Sequence, residues 1–407
     1  MPDIRGFRGW RYHRAAVGDI AKVVAPPYDV ISPKERERLH RLHPANVVRL
    51  ILGKEGHARA GTLFRDWMDR GVLRKETLPA LYVYTQEYRE GARKKTRVGF
   101  MAAMRIDEKA VLKHENTLAA PKKDRLALIR RVKANLSPVF GLFEDPAGSV
   151  QLLLKKTLRR KPTVAIRVAG VRHRLYAETR PGIVEAVSRL MRSKPVFIAD
   201  GHHRFEVACR YSRMNPAAGR VMMYFSDFRH NPFTIYPTHR LIRTTKDPIA
   251  VLSKYGKLNH VGARHAVPLR VILKTLSKPR RRSDKQYRFG IYSKKHGFYL
   301  FTLGPKYSSR VKDNPVDRLD VAVLHQFVIA PCFGVRAVAK SRQIDFTRDP
   351  EETVRKVRSG EFDLALFLRP ASLGEMVEAS KQGLKMPQKS TYFYPKLLSG
   401  LVFHVFD

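Results

Sequence analysis

Apolar positions come in short runs along the chain, and their spacing switches several times between a helix-like and a strand-like period. VISPKERERLHRL (30–42) opens a helix behind Ser32, with Pro33 in the first turn and Glu35 placed to close a capping box. NVVRLIL (46–52) is the expected strand after it, and a helix around Phe64 and Trp67 stops at Gly71. ALYVYTQEY (80–88) and RVGFMAAMRI (97–106) have the aromatic and apolar density of buried strands. DRLALIRRVKAN (124–135) predicts a helix, SPVFGLFE (137–144) a strand, and VMMYFSDF (221–228) and FTIYPTHRLI (233–242) further strands. Beyond Asp247 come strands near 289–291 and 299–303, a helix in DVAVLHQFVIA (320–330) and a capped helix in DPEETVRKV (349–357). The strand FDLALFL (362–368) precedes SLGEMVEASKQG (372–383), where Ser372 and Glu375 have capping-box spacing and Gly383 ends the helix. Short strands mixed with helices predict an α+β fold, divided into an α/β portion over 1–90, a core over 91–246 and an α+β portion over 247–407.

Composition narrows this picture. A chain of 407 residues has room for more than one core, and 43% hydrophobic with 28% charged residues is the balance of a folded protein. No apolar run reaches the roughly 20 residues that cross a bilayer, and MPDIRGFRGWRYHRAAVGD has no signal-peptide core, so a cytoplasmic protein without a membrane partner is expected. Cys209 and Cys332 are the only cysteines, too few for a disulfide framework or a cysteine zinc cluster, and are expected as reduced, buried thiols. Charge is the outlier, with 79 Lys and Arg against 36 Asp and Glu, a net +43. Such a field attracts polyanions, from a nucleotide to a nucleic acid held by non-specific charge. The excess is diffuse: 146–177 contains no acid, and between Pro248 and Lys312 the only one is Asp284, beside a KPRRR run that reads as an exposed loop.

The densest chemistry lies in KPVFIADGHHRFEVACRY (194–211). Val196 to Ala199 form an apolar strand, Asp200 and Gly201 turn the chain, and Phe205, Ala208 and Cys209 share one helix face. The junction sets first-turn N–H groups and the positive end of a helix dipole beside His202, His203 and Arg204, which is a phosphate cradle in physical terms. Arg204 can clamp two phosphate oxygens, and Asp200 can hold Mg²⁺ or orient a hydroxyl. The plain alternative is a capped helix with surface histidines. No GxxxxGK[ST] or GxGxxG occurs, so neither a P-loop nor a Rossmann site is signalled.

DGHHR resembles the phosphate-binding motif of the ParB/sulfiredoxin-like superfamily, whose kinase branch includes free-serine kinases. The whole chain resembles the DUF1015 family, on APPYDVIS (25–32), HENT (114–117) with PKKDRL (121–126), NLSPVF (135–140), FIADGHHRFE (197–206), PTHRLI (237–242) and MPQKSTYFYPKLLSGLV (386–402). The superfamily resemblance implies a mixed-sheet nucleotide-binding core. It also implies that Glu115, in the dipeptide His114-Glu115, takes the proton of a substrate hydroxyl while Gly201, His202, His203 and Arg204 hold nucleotide phosphates.

The expectation is therefore a small-molecule kinase that uses ATP or ADP with Mg²⁺ on Asp200, with Glu115 and Asp200 catalytic and free L-serine the first acceptor to consider. Asp29, His114, Lys122, His239, Arg240, Lys389, Ser390 and Thr391 are candidate substrate contacts. The rival expectations are a nucleotide-dependent, ParB-like nucleic-acid-binding protein and a metal-dependent hydrolase using His114, Glu115, Asp200 and His202, although no HExxH spacing supports the latter.

Overall fold

Strands that are apolar on both faces have to lie inside a sheet covered on both sides. The computed structural model, which describes residues 1–262, 266–281, 283–284, 286–336 and 341–406, meets that requirement in the first of two compact units. This unit comprises 1–113, 117–234 and 395–407; the second comprises 114–116 and 235–394. Among the described residues no helix is long and apolar enough to cross a membrane.

The first unit contains β1 (Ile4–Arg5), α1 (Pro33–Leu42), α2 (Gly56–Asp69), β2 (Leu81–Glu90), β3 (Arg93–Arg105), β4 (Val111–Leu112) and α3 (Ala119–Val132). It continues with β5 (Val139–Phe143), α4 (Ser149–Leu158), β6 (Val164–Val168), β7 (Val171–Glu178), α5 (Pro181–Met191), β8 (Val196–Asp200), α6 (His202–Ser212) and β9 (Arg220–Asp227). The strands form a nine-stranded mixed sheet in the order β4-β8-β5-β9-β3-β2-β7-β6, with β1 on the flank of β3. β4 runs parallel to β8 and β5 parallel to β9, and the remaining pairs are antiparallel. One core packs Val150 and Leu154 of α4, Val187 and Met191 of α5, and Phe205, Ala208 and Cys209 of α6 on this sheet. A second core gathers Leu39, Phe64, Trp67, Leu128 and Val132 from α1, α2 and α3 around Phe403.

The second unit contains β10 (His239–Ile242), β11 (Gly256–Gly262), α7 (Ala266–Thr275), β12 (Arg288–Ser293), β13 (Gly297–Leu303), β14 (Ile344–Thr347), α8 (Pro350–Arg358), β15 (Leu364–Phe367) and α9 (Leu373–Lys381). Its six-stranded sheet is antiparallel throughout, in the order β11-β13-β12-β15-β10-β14, with Leu269, Ile272, Val354 and Val357 of α7 and α8 in its core. The protein is therefore α+β, as the mixture of periods predicts.

Several expectations change. The boundary near residue 90 falls inside the β2–β3 hairpin, where Glu90 opposes Arg93, so the first 90 residues share a sheet with β3 and the strands beyond it. NVVRLIL contains a short helix, Val48–Ile51, whose Val48, Leu50 and Ile51 are all buried. An apolar run this short carries no period that separates strand from helix. FTIYPTHRLI breaks at Pro237 into Thr234–Tyr236 and β10, because proline has no N–H for the ladder. Ser32 accepts from the Glu35 N–H at 3.2 Å, but the Glu35 carboxylate binds Arg38, so of the two expected capping boxes the one at Ser372 and Glu375 is reciprocal. In the KPRRR run Lys278, Pro279 and Arg281 are exposed as expected and Arg282 lies outside the described residues, but the Arg280 side chain is buried.

The contact of α2 with α3 depends on Gly61, where a Cβ would stand 2.7 Å from the Arg131 carbonyl oxygen. Gly61→Ala should cost about 1–3 kcal/mol. Gly182→Ala in α5, where nothing lies within 4 Å, should be neutral or stabilise by up to about 1 kcal/mol. Urea midpoints of the two variants against the parent check the contrast, and equal midpoints would contradict the close approach of α2.

Candidate functional site

β8 enters the junction through a register shift between Ile198 and Asp200, a bulge that re-aims the Asp200 side chain as the strand ends. Gly201 comes next at φ +93°, a conformation that side chains resist, and caps α6. Glycine is required there on a second count, because a Cβ would stand 2.9 Å from Nη2 and 3.0 Å from Cζ of Arg204. The space it leaves lets Arg204 fold back: Nη2 donates to Asp200 Oδ2 at 2.5 Å, and Nη1 donates to the Pro138 carbonyl. Lys396 donates to the other Asp200 oxygen.

Asp200 is mostly buried, which by itself raises a carboxyl pKa, but Lys396 and Arg204 outweigh burial and hold it well below the usual carboxylate range. With a cation on each oxygen, Asp200 does not fit as a Mg²⁺ ligand in this arrangement. Among the described residues no group of three or more His, Cys, Asp or Glu side chains gathers to hold a metal ion.

The adjacent histidines diverge, as neighbours on a helix do. His202 is buried, whereas His203 accepts through Nε2 from the Leu118 N–H at 3.0 Å and so fixes the start of α3. Lys122 ion-pairs with Glu206 at 3.1 Å, and Thr117 donates to the same carboxylate at 2.5 Å. Asp29 is exposed. Burial pushes the Cys209 thiol up to about 12, which leaves no thiolate for chemistry.

A narrow cavity of about 60 Å³, open to solvent on one side, adjoins this junction. Tyr28, Arg125, Ser137 and Arg204 line it with an apolar wall that includes Leu128, Val132 and Val207. The Arg125 guanidinium lies 4.3 Å from the centre of the Tyr28 ring and donates to the Ile51 carbonyl at 2.7 Å. Burial, with Asp29 adding to it, pushes the Tyr28 hydroxyl up to about 12. Ser137 and Ser399 share a hydrogen bond of 2.6 Å.

In the second unit Glu115 forms a parallel bridge with Met386, whose N–H donates to the His114 carbonyl at 2.7 Å. His114 Nε2 lies 3.4 Å from the Thr391 hydroxyl. The intervening loop holds Lys389 at φ +57°, a strained value for a residue with a side chain, and Ser390, which donates to the Pro387 carbonyl. Arg240 is fully buried; Nη1 donates to the Thr238 carbonyl, Nε to His325 at 3.2 Å, and Nη2 reaches the Gln388 and Lys389 carbonyls. His239 packs against Phe367 with the rings tilted and their centres 5.0 Å apart, and burial with Arg240 drives its pKa down to about 3.

Sequence reasoning named Lys389, Ser390 and Thr391 but passed over Lys396 in the same matched segment. It also passed over Arg125 within PKKDRL. Both looked like ordinary charged residues, and only the fold reveals what they face.

The first unit thus presents an α+β scaffold with a cationic strand-to-helix junction beside an apolar cavity. The chain belongs to the family described as "Protein of unknown function (DUF1015)", whose model matches residues 4–322. Among solved structures it is similar to a free serine kinase in complex with AMP, at 11% identity and a TM-score of 0.36, over 72% of this chain and 86% of that one. It is also similar to a conserved hypothetical protein from Pyrococcus furiosus, at 11% identity and a TM-score of 0.35, over 74% and 92% of the two chains. A third is SbnI with a C-terminal truncation from Staphylococcus aureus, at 10% identity and a TM-score of 0.36, over 74% and 85%. No curated protein matches the chain.

Removing Lys396 leaves a buried carboxylate short of one partner, so Lys396→Met should cost about 3–5 kcal/mol at neutral pH. Because the Asp200 pKa is lowered on folding, its pairing stabilises the protein above about pH 4 and the benefit disappears as acid titrates through the lowered value. The gap between parent and variant should therefore shrink below about pH 4 in urea titrations run across pH. A gap that widens in acid would refute the pairing.

Proposed function

We propose that the protein is a nucleotide-dependent phosphotransferase acting on a small hydroxyl substrate, with free L-serine as the leading acceptor. The observation that carries this is the convergence of distant matched segments on one cavity. Tyr28 from APPYDVIS, Arg125 from PKKDRL, Ser137 from NLSPVF and Arg204 from FIADGHHRFE line it. The last segment adds Lys396 to Asp200 and Ser399 to Ser137. A fold needs no such convergence of cations and hydroxyls for stability alone, because desolvated charge costs free energy.

In this reading the apolar wall receives the base, and the phosphates lie at the start of α6, where a helix offers backbone N–H groups and positive potential. Arg204 Nε, buried and without a hydrogen-bond partner, supplies a donor to a phosphate oxygen. Asp200 orients Arg204 and Lys396 rather than holding a metal. Mg²⁺ then arrives as part of the nucleotide substrate.

Glu115 keeps the role implied by HENT. The acceptor hydroxyl attacks the terminal phosphorus as its proton passes to a carboxylate base, and ADP leaves from ATP or AMP from ADP.

Thermal melting with AMP, ADP and ATP, each with and without Mg²⁺, tests the binding half. A nucleotide at a hundred times its dissociation constant should add about 2.7 kcal/mol. Arg204→Lys, which keeps the charge but loses the fork, should weaken that stabilisation while the melt stays cooperative.

Phosphorus NMR with L-serine tests the chemistry. Glu115→Gln should lower phosphoserine formation about 10²- to 10⁴-fold with nucleotide affinity near the parent value. Absence of phosphoserine with either nucleotide would sink the serine assignment.

A further inference from the structure

A second recess of the first unit lies where β1 and β3 end and β9 begins, a cleft of about 570 Å³ that is open to solvent. Arginine dominates its polar lining: Arg5 ends β1, Arg105 ends β3, Arg220 begins β9, and Arg8 follows in the loop after β1. Phe7 and Phe406 add an apolar wall. The cleft has no lining residue in common with the cavity at Tyr28 and Arg204, and all of it belongs to the first unit.

Strand register brings the arginines together. Arg105 pairs directly with Arg220 across the β3–β9 ladder, and Arg5 is opposite Ala103, two residues along β3 and so on the same face of the sheet. Like charges facing each other across a ladder repel. The nearest acid is already committed, since the Asp3 carboxylate accepts from Arg220 Nη2 at 2.7 Å. Arg220 Nη1 is held as well, by the Asp3 and Ala103 carbonyls at 3.2 and 3.3 Å. Arg8 donates only from Nε, to the Glu76 carbonyl at 3.0 Å. Among the described residues no carboxylate stands within ion-pair reach of Arg5, Arg8 or Arg105, so three guanidinium groups line the cleft with their outer nitrogens uncommitted.

An exposed arginine is ordinarily satisfied by water, and one alone implies nothing. Three in one recess, beside a fourth that faces one of them across a ladder, concentrate positive potential between low-dielectric walls. The guanidinium fork matches the oxygens of a phosphate. The positive stretch is also short, because Asp107 and Glu108 follow Arg105 into an adjoining recess of mixed charge. A long polyanion running past Arg105 meets those carboxylates, whereas a compact one does not.

We propose that this cleft binds a small organic phosphate with two or more phosphoryl groups, its oxygens shared among Arg5, Arg8 and Arg105 and its body against Phe7 and Phe406. One phosphate monoester carries too little charge to neutralise three guanidinium groups. The volume falls within the roughly 300–1,000 Å³ of small-molecule sites. The site is separate from the Asp200 junction and stands whether or not the protein transfers phosphate.

Calorimetric titration of the full chain with inorganic pyrophosphate, and with inorganic phosphate for comparison, tests it. Pyrophosphate should bind at least about tenfold more tightly than phosphate, and Arg105→Gln should weaken it at least about tenfold. Arg5→Gln should act in the same direction, and decides alone if the Arg105 variant fails to melt cooperatively. Arg159→Gln removes an exposed charge from another surface and should change nothing, which separates the cleft from net charge. No pyrophosphate binding, equal affinity for phosphate, or binding that the Arg105 and Arg5 variants leave intact overturns the proposal. A single-stranded oligonucleotide that binds more tightly than pyrophosphate and is released by Arg105→Gln assigns the cleft to nucleic acid and overturns it too. Arg204→Lys separates the two sites. Pyrophosphate binding lost in that variant alone removes the cleft and leaves the junction, and binding lost in Arg105→Gln alone establishes the cleft whatever becomes of the phosphotransferase.

Discussion

The buried ion triad of Asp200 with Arg204 and Lys396 is the constraint on which the first unit depends. A carboxylate at the end of a core strand is tolerable only if cations reach both of its oxygens, and each cation arrives by a separate structural device. Arg204 reaches back across one turn because Gly201 has no side chain. Lys396 belongs to a segment that returns to this unit from far along the chain. The bulge at the end of β8 exists for the same purpose, since a regular strand would present Asp200 to a different neighbour. The geometry at the start of α6 results from how this charge is neutralised.

Part of the large positive charge is used in bonds to the chain's own backbone. With acids scarce, arginines bond to carbonyl oxygens: Arg36 to Leu52 and Gly53, Arg49 to His40, Arg243 to Arg342 and Glu361, Arg280 to Arg318. Several also lie over aromatic rings, Arg348 on Tyr392 at 3.9 Å and Arg243 on Phe362 at 4.1 Å. A guanidinium staples loop carbonyls that a carboxylate cannot, because it carries donors only. Net charge alone is therefore a poor guide to partners here.

Long periodic segments were legible in the sequence for physical reasons. β2, β3, α8 and α9 combine sustained apolar runs or period with caps such as Asp349 and Ser372, so local and global preferences agree. The strand-to-helix junction at Asp200 was legible as well, because a glycine between an apolar strand and an apolar helix face leaves few alternatives. What failed was whatever depends on distant partners. The helix at Val48 is decided by the burial of Val48, Leu50 and Ile51, the β2–β3 hairpin erases a boundary drawn from the order of predicted elements, and the Arg280 side chain pairs with Asp320 forty residues away. Lys396 carries no local signature, since a lone lysine in a loop is ordinarily solvated.

The order in which the chain is made adds a consequence to the layout of the first unit. Its sheet is encoded before residue 234, yet the cation for Asp200 and the strand that pairs with Ala134 and Asn135 lie beyond 395, behind the whole of the second unit. During synthesis the second unit can complete its own antiparallel sheet while the first still carries an unmatched carboxylate and an open strand edge. A nascent first unit is thus held in an incomplete state until residues 396–405 have been made, which makes its maturation a long-range event and a natural point for chaperone dependence.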